Sequence, residues 1–338
     1  MTKNISEEVR QELRLKDLED KSKGVSKKYK ALQNENIQLQ RLLEAVDYLQ
    51  EAPATVKITR QHSKHTGEAT AVALASDWHI EEVVEPRTVG GSNRYTPKIA
   101  EARSKEFFQV IVKHVERESS AIKIDNLILA LMGDFITSNI HEECMENCAM
   151  RPIDATMFAF DLLASGIDFL LNATKLKITL PCNVGNHSRI TKKQRSATEQ
   201  GNSLEALLYS FLKKRYERQK RVTFVSSGGY HVYIPVYREL LRFHHGHAIR
   251  YAGGIGGLTI PAHKAIMRWN KQRNATLDCF GHLHQRWQTT RFISNGSQIG
   301  YNAYALSKGY EFDVPVQQFF LVDKLRGVTV RAPILYKR

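Results

Sequence analysis

Five short apolar runs punctuate the chain: "AVALAS" (71–76), "NLILALM" (126–132), "KITLPCN" (177–183), "ELLRFH" (239–244) and "TLDCF" (276–280). Runs of five to seven residues suit strands buried on both faces better than helices, which need longer stretches. The segments between them read as helices. "TPKIAEARSKEFFQVIVKHVERE" opens with Thr96 as an N-cap and Pro97 in the first helical position. "DATMFAFDLLASGIDFLLNA" and "SLEALLYSFLKKRYERQK" carry apolar residues at helical spacing. Beyond residue 287 the runs "FFLVDKL" and "GVTVRAPILY" alternate, which predicts a β-rich end. Strand–helix alternation of this kind predicts an α/β domain.

Each apolar run stops at a polar motif. Asp77 and His79 follow the first as "DWH", and Asp134 follows the second as "GD". Asn186 and His187 follow the third in "VGNHSR". His245 and His247 follow the fourth as "HGH", and His282 and His284 follow the fifth as "GHLH". Residues at the carboxyl ends of neighbouring strands converge on one crevice. Oxygen and imidazole donors without thiolate suit manganese, iron or zinc, and a carboxylate between two ions can bridge them.

In order and in strand-end placement the five blocks resemble the signature of the calcineurin-like metallophosphoesterase superfamily: D-x-H, G-D, G-N-H-[D/E], H-G-H and G-H-x-H. The resemblance spans roughly residues 72–286 and implies a metallophosphoesterase-type β-sandwich flanked by helices. It implies one metal held by Asp77, His79, Asp134 and His284. A second would be held by Asp134, Asn186, His245 and His282, with Asp134 as the bridge. The two ions would be divalent, manganese first, with iron, zinc or magnesium as alternatives. His187 corresponds to a non-ligand histidine beside the leaving group, a general acid or transition-state donor, while a metal-bridged hydroxide attacks phosphorus.

The chain departs from this pattern at Ser188, where the superfamily usually carries an acid that orients the histidine. Arg189 either grips phosphate in compensation or is a surface charge. His244 precedes His245, so a ligand assignment slipped by one residue is open; the block pattern puts His244 in the core. The run "RITKKQR" begins at the rim of the expected site, which makes Arg189, Lys192, Lys193 and Arg195, together with His247, candidates for contacting substrate. The glycine-rich "YAGGIGGLTIP" (251–261) either lets backbone approach a phosphate or is a flexible loop.

Residues 1–50 have a different composition. Steps of three and four from Leu15 reach Leu18, Ser22, Val25, Tyr29, Leu32, Asn36, Leu39, Leu43 and Val46, and eight of these ten positions are apolar. This heptad seam predicts a coiled-coil arm and a homo-oligomer, with Asn36 at an a position and Gly24 as the weak spot. The alternative is a helix packed on its own subunit. Residues 51–70 read as a linker and 71–338 as the catalytic domain.

Lys and Arg exceed Asp and Glu by 49 − 35 = 14, an excess that favours a polyanionic partner. No apolar run approaches a membrane span, the N-terminus has no signal-peptide core, and only Cys144 and Cys148 among the four cysteines are close in sequence. These features predict a cytoplasmic protein with reduced thiols and no membrane partner. The expectation is therefore a metal-dependent phosphodiesterase or nuclease acting on nucleic acid. The alternatives are a phosphomonoesterase, a cyclic-nucleotide phosphodiesterase, or a non-catalytic nucleic-acid-binding scaffold.

Overall fold

Glu68–Ala75 (β1) is buried along nearly its whole length, and its two faces serve different cores. Ala69, Ala71, Ala73 and Ala75 pack among helices, whereas Val72 and Leu74 pack against a second sheet. The period of two along a strand makes this division. The computed structural model describes residues 2–50, 67–251 and 257–337. The chain falls into two units, residues 1–62 and residues 63–338.

In chain order the elements of the first half are Thr2–Gln50 (α1), β1, Pro97–Ser119 (α2), Lys123–Leu131 (β2), Glu142–Asn147 (α3), Pro152–Ala173 (α4) and Lys177–Pro181 (β3). Then come Leu204–Arg215 (α5), Val222–Val225 (β4), Val232–Val236 (β5), Glu239–Phe243 (β6), Thr259–Asn270 (α6) and Leu277–Phe280 (β7). The last are Trp287–Gln288 (β8), Phe292–Ser294 (β9), Ala303–Ser307 (α7), Val316–Gln317 (β10), Phe319–Asp323 (β11), Gly327–Arg331 (β12) and Ile334–Leu335 (β13).

One six-stranded sheet has the order β12-β11-β1-β2-β3-β4, and β1 to β4 run parallel. A five-stranded sheet has the order β5-β6-β7-β9-β8, with β6, β7 and β9 parallel. Ile128, Ala130 and Met132 from the first sheet meet Leu241, Phe243, Leu277 and Cys279 from the second in one apolar layer. Phe107 and Ile111 of α2, Leu163 and Ile167 of α4 and Leu208 of α5 cover the outer face of the first sheet. Ala262 and Ile266 of α6 cover Phe280 and Phe292 on the second. The result is a β-sandwich between helices, an arrangement that buries both faces of parallel strands.

All five apolar runs form strands, and Thr96 caps α2 by accepting from the Ile99 N–H at 3.4 Å. Two boundaries and two helices differ from the sequence reading. The first strand starts at Glu68 rather than after residue 70, because Glu68 and Ala69 already pair with Lys123 and Ile124. The rest of the expected linker, 51–66, lies outside the described residues. The helix after Ser203 stops at Arg215, where the Tyr216 hydroxyl turns inward to the Ala164 carbonyl at 2.9 Å. The C-terminal stretch is mainly β, as its alternation predicts, but holds α7, capped by Asn302. Residues 252–256 of the glycine-rich segment lie outside the described residues, and its end enters α6, a helix its sequence did not suggest.

α1 runs unbroken through Gly24. At 1.5 Å per residue it is about 74 Å long. Leu15, Leu18, Val25, Tyr29, Leu32, Leu39 and Leu43 are all more than half exposed. Helices of this kind draw their stability from packing of an apolar stripe rather than from propensity alone. No described helix is long and apolar enough to cross a membrane.

Candidate metal centre

The loops after β1, β2 and β3 are stitched together by backbone hydrogen bonds. Asp77 and Trp78 donate to the carbonyls of Gly133 and Asp134 at 3.0 and 2.8 Å, and Asn183 donates to Leu131 at 2.8 Å. The approach is close enough to demand glycine. A Cβ on Gly133 would lie 2.2 Å from the Gly185 nitrogen. Within the second sheet Gly281 donates to the His245 carbonyl at 2.7 Å, and across the sandwich the His282 N–H reaches both Asp77 carboxylate oxygens at 3.0 Å. The two sheets thus deliver their strand ends to one place.

Two groups of donors result. Asp77, His79 and His284 offer ligand atoms within 4.8 Å of one another, and so do Asp134, His245 and His282. Asp77, His79, Asp134 and His245 are buried. Asn186 Oδ1 lies 3.1 Å from His245 Nε2, so the amide borders the second group. The Asp134 carboxylate approaches His245 Nε2 at 2.9 Å and accepts the His187 N–H at 2.9 Å. The His187 ring belongs to neither group. It stands edge-on to His79 with ring centres 4.9 Å apart, and its Nδ1 is 3.1 Å from the Thr137 carbonyl. His244 stacks on Phe280 and meets Trp269 in the core, one residue away from the cluster.

The backbone of these groups is strained. Asp77, His79, Asp134, His282 and His284 all have φ between 48° and 68°. Only Ser138 and Tyr237 share that trait among the other described non-glycine residues. Left-handed conformations of this sort cost roughly 1–3 kcal/mol each and cluster at functional sites. Five of them in one place aim five side chains inward.

Electrostatics follow from burial. Desolvation, then His187 and His284, hold His79 well below the usual histidine range, and desolvation with His245 does the same to His282. Burial opposes charge on His245, but Asp134 outweighs it and lifts the imidazole to about 10. For Asp134, burial pushes upward and is outweighed by His245 and His187, which hold it well below the carboxylate range. His284 is raised in the same way, burial being overcome by Asp77 at 3.5 Å.

Donor chemistry fits divalent cations. His245 Nδ1 faces the Met132 carbonyl at 2.8 Å, which leaves Nε2 for a ligand, the usual arrangement for a metal-binding histidine. His79 Nε2 is buried with no hydrogen-bond partner, and such an orphan calls for an explanation. Asp, His and Asn donors without thiolate are a hard-to-borderline set.

The candidate substrate residues separate. Arg189 and Arg195 line a small cleft with Asn186, Thr191, Gln194 and Glu199. Lys192 and Lys193 are exposed on the same loop. His247 lies beside Glu199, Nε2 to Oε1 3.1 Å, with its ring 5.5 Å from that of His245.

Sequence reading missed four supports. Glu205, on α5, accepts the Phe135 and Gly185 N–H groups, each at 2.7 Å, and pairs with Ser188 Oγ at 3.1 Å, bracing the second and third motifs against each other. Burial, with Asp134 adding to it, raises this carboxyl to about 8. Glu81 accepts the Thr137 and Ser138 N–H groups at 2.8 Å, and burial raises it to about 7. Glu82 and Thr137 complete the set. For Glu81, Glu82 and Thr137 the signal was present only as "HIEE" and "GDFITS", acids and hydroxyls within four residues of a motif, and Glu205 carried none.

No family model and no curated protein matches the chain. It is similar to solved structures at low identity. Vacuolar protein sorting 29 from Cryptosporidium parvum is 10% identical, with 80% of this chain and 100% of that one covered and a TM-score of 0.32. A hypothetical protein from Pyrococcus horikoshii is 10% identical over 80% and 89% of the two chains, with a TM-score of 0.38. A conserved Streptococcus pneumoniae protein described as a predicted phosphoesterase is 10% identical over 79% and 98%, with a TM-score of 0.29.

Proposed function

We propose that the chain is a calcineurin-like metallophosphoesterase with a dinuclear centre, acting as a phosphodiesterase on nucleic acid. The observation that carries this reading is the pair of adjacent Asp/His groups whose five inward-aimed residues share a strained backbone. Asp77, His79, Asp134 and His284 would hold one divalent ion, and Asp134, Asn186, His245 and His282 the other, manganese being the first choice. Bound there, the ions would supply Lewis acidity, activating water and offsetting charge on the phosphoryl oxygens.

His187 would protonate the leaving oxygen. Its Nδ1 is fixed by the Thr137 carbonyl, so a neutral backbone acceptor orients the ring where Ser188 replaces the usual acid. Arg189 and Arg195 would grip phosphate beside Asn186, with Lys192 and Lys193 extending the basic rim and His247 bordering it.

The net charge of +14 supports a polyanionic substrate. Under subsaturating conditions, cleavage of DNA or RNA should fall by orders of magnitude as salt rises, if several phosphates are contacted. Hydrolysis of a small chromogenic diester should change far less. Replacing Lys192, Lys193 and Arg195 by Ala should weaken polymer cleavage and spare the small diester, since phosphate contacts position a strand without breaking bonds. Equal losses on both substrates, or no polymer cleavage with any divalent metal, would favour a phosphomonoesterase or cyclic-nucleotide enzyme.

The exposed heptad seam of α1 supports self-association through a coiled coil. Removing residues 1–50 should lower the number of subunits per particle measured by light scattering and leave residues 67–337 folded. An unchanged subunit number would show that the seam packs within one subunit.

A further inference from the structure

Thr137 stands three residues beyond Asp134 and touches both histidines next to the candidate centre. Its hydroxyl lies 2.9 Å from His79 Nδ1 and 3.2 Å from Glu82 Oε2. Its carbonyl takes His187 Nδ1 at 3.1 Å, and its N–H is anchored on Glu81 at 2.8 Å. The other Glu82 oxygen accepts from Asn302 Nδ2 at 2.8 Å. Asn302 cannot turn its amide round, because its Oδ1 caps α7 by accepting the Ala305 N–H at 3.0 Å.

Proton counting gives this chain a direction. Asn302 must present its NH₂ group to Glu82; burial raises the Glu82 carboxyl and that amide opposes the shift, and with the carboxyl ionised it can only accept. Glu82 therefore takes the single hydroxyl proton of Thr137. That leaves Thr137 Oγ1 with lone pairs alone for His79, so the His79 proton sits on Nδ1. His79 Nε2 is then a bare lone pair, and it is the buried atom without a partner.

We propose that Asn302, Glu82 and Thr137 form a positioning chain that locks His79 in the one tautomer able to bind a metal ion through Nε2. The proposal rests on the metal-centre reading above, but it concerns the protein's own protons and can be tested without turnover. Outer partners of ligating histidines commonly hold 10–100-fold of metal affinity. None of the three residues belongs to either donor group. They act through the ring of His79.

The full chain, labelled with ¹⁵N-histidine and kept free of metal, gives the first readout. His79 should show the Nδ1–H form alone in the wild type and in Thr137→Ser, and a mixture of tautomers in Thr137→Val. Glu82→Gln should shift in the same direction, since its NH₂ group must face either Asn302 or the Thr137 hydroxyl. Titration with Mn²⁺ alone gives the second readout. Thr137→Val should weaken one of two binding steps about 10–100-fold and spare the other, with Thr137→Ser restoring it. Circular dichroism checks that each variant is folded. A folded Thr137→Val protein with an unchanged His79 tautomer and unchanged Mn²⁺ binding would overturn the chain. A wild type that binds no divalent ion would instead overturn the metal reading, and the tautomer measurement would still decide the role of Thr137.

Discussion

Asp134→Asn is expected to give a folded protein with no measurable phosphoester hydrolysis and no thermal stabilisation by Mn²⁺. The wild-type carboxylate is pulled two ways, one oxygen toward the His187 N–H and the other toward His245 Nε2, each at 2.9 Å. An Asn side chain can serve both neighbours. Its oxygen accepts the His187 N–H, and its NH₂ group donates to a neutral His245, whose Nδ1 already faces the Met132 carbonyl. Removing the charge also removes what lifts His245 to about 10. His187 and His245 therefore keep partners without any ion, and the metal-free variant should melt near the wild-type temperature. What it loses is the anionic oxygen proposed to face both cations. Ligand binding to the native state alone adds about 2.7 kcal/mol at 100 times Kd, so the wild-type melting temperature should climb with Mn²⁺ while that of Asp134→Asn stays flat. Residual hydrolysis with two metal equivalents still bound would remove Asp134 from the proposed bridge.

How much of this could be read in advance depends on the kind of residue. Strand β2 was legible because burial on both faces writes a nearly continuous apolar run, "NLILALM", and β1, β3, β6 and β7 because their runs are short and mostly apolar, although β6 and β7 bury Arg242 against Asp278. Their polar ends were legible because Asp and His at a strand terminus stand out against that run. α6 was not, since "LTIPAHKAIMRWN" starts with a β-branched pair and a proline and needs only Ala262 and Ile266 against the sheet. The supports were hidden for a different reason. Glu205 lies 71 residues beyond Asp134 in the chain, and nothing local in "SLEALL" separates a buried brace from an ordinary acid in the first turn of a helix. Glu82 looks like a solvated charge until Asn302, 220 residues on, is brought to it. Departure from the family pattern at Ser188 was visible, but its consequence was not. Ser188 turns toward Ser203 and Glu205, and His187 is oriented by a carbonyl instead.

His187→Gln should keep both metal equivalents while lowering kcat on a poor leaving group by at least about 100-fold, the scale of a general acid. The substitution leaves the nearby hydrogen bonds intact. The His187 backbone N–H still reaches Asp134, and a Gln amide can still donate to the Thr137 carbonyl. It removes an ionisable group and nothing that belongs to either donor group. The loss should therefore depend on the leaving group. A sugar alkoxide must be protonated as it departs, so cleavage of a dinucleotide should suffer the full effect. A nitrophenolate departs as the anion, and hydrolysis of a nitrophenyl diester should lose far less. A histidine that only donates a hydrogen bond would be partly replaced by Gln, with losses small on both substrates. Equal large losses would mean that the ring holds substrate in place rather than delivering a proton. Loss of bound metal would place His187 among the ligands and strike out its proposed role.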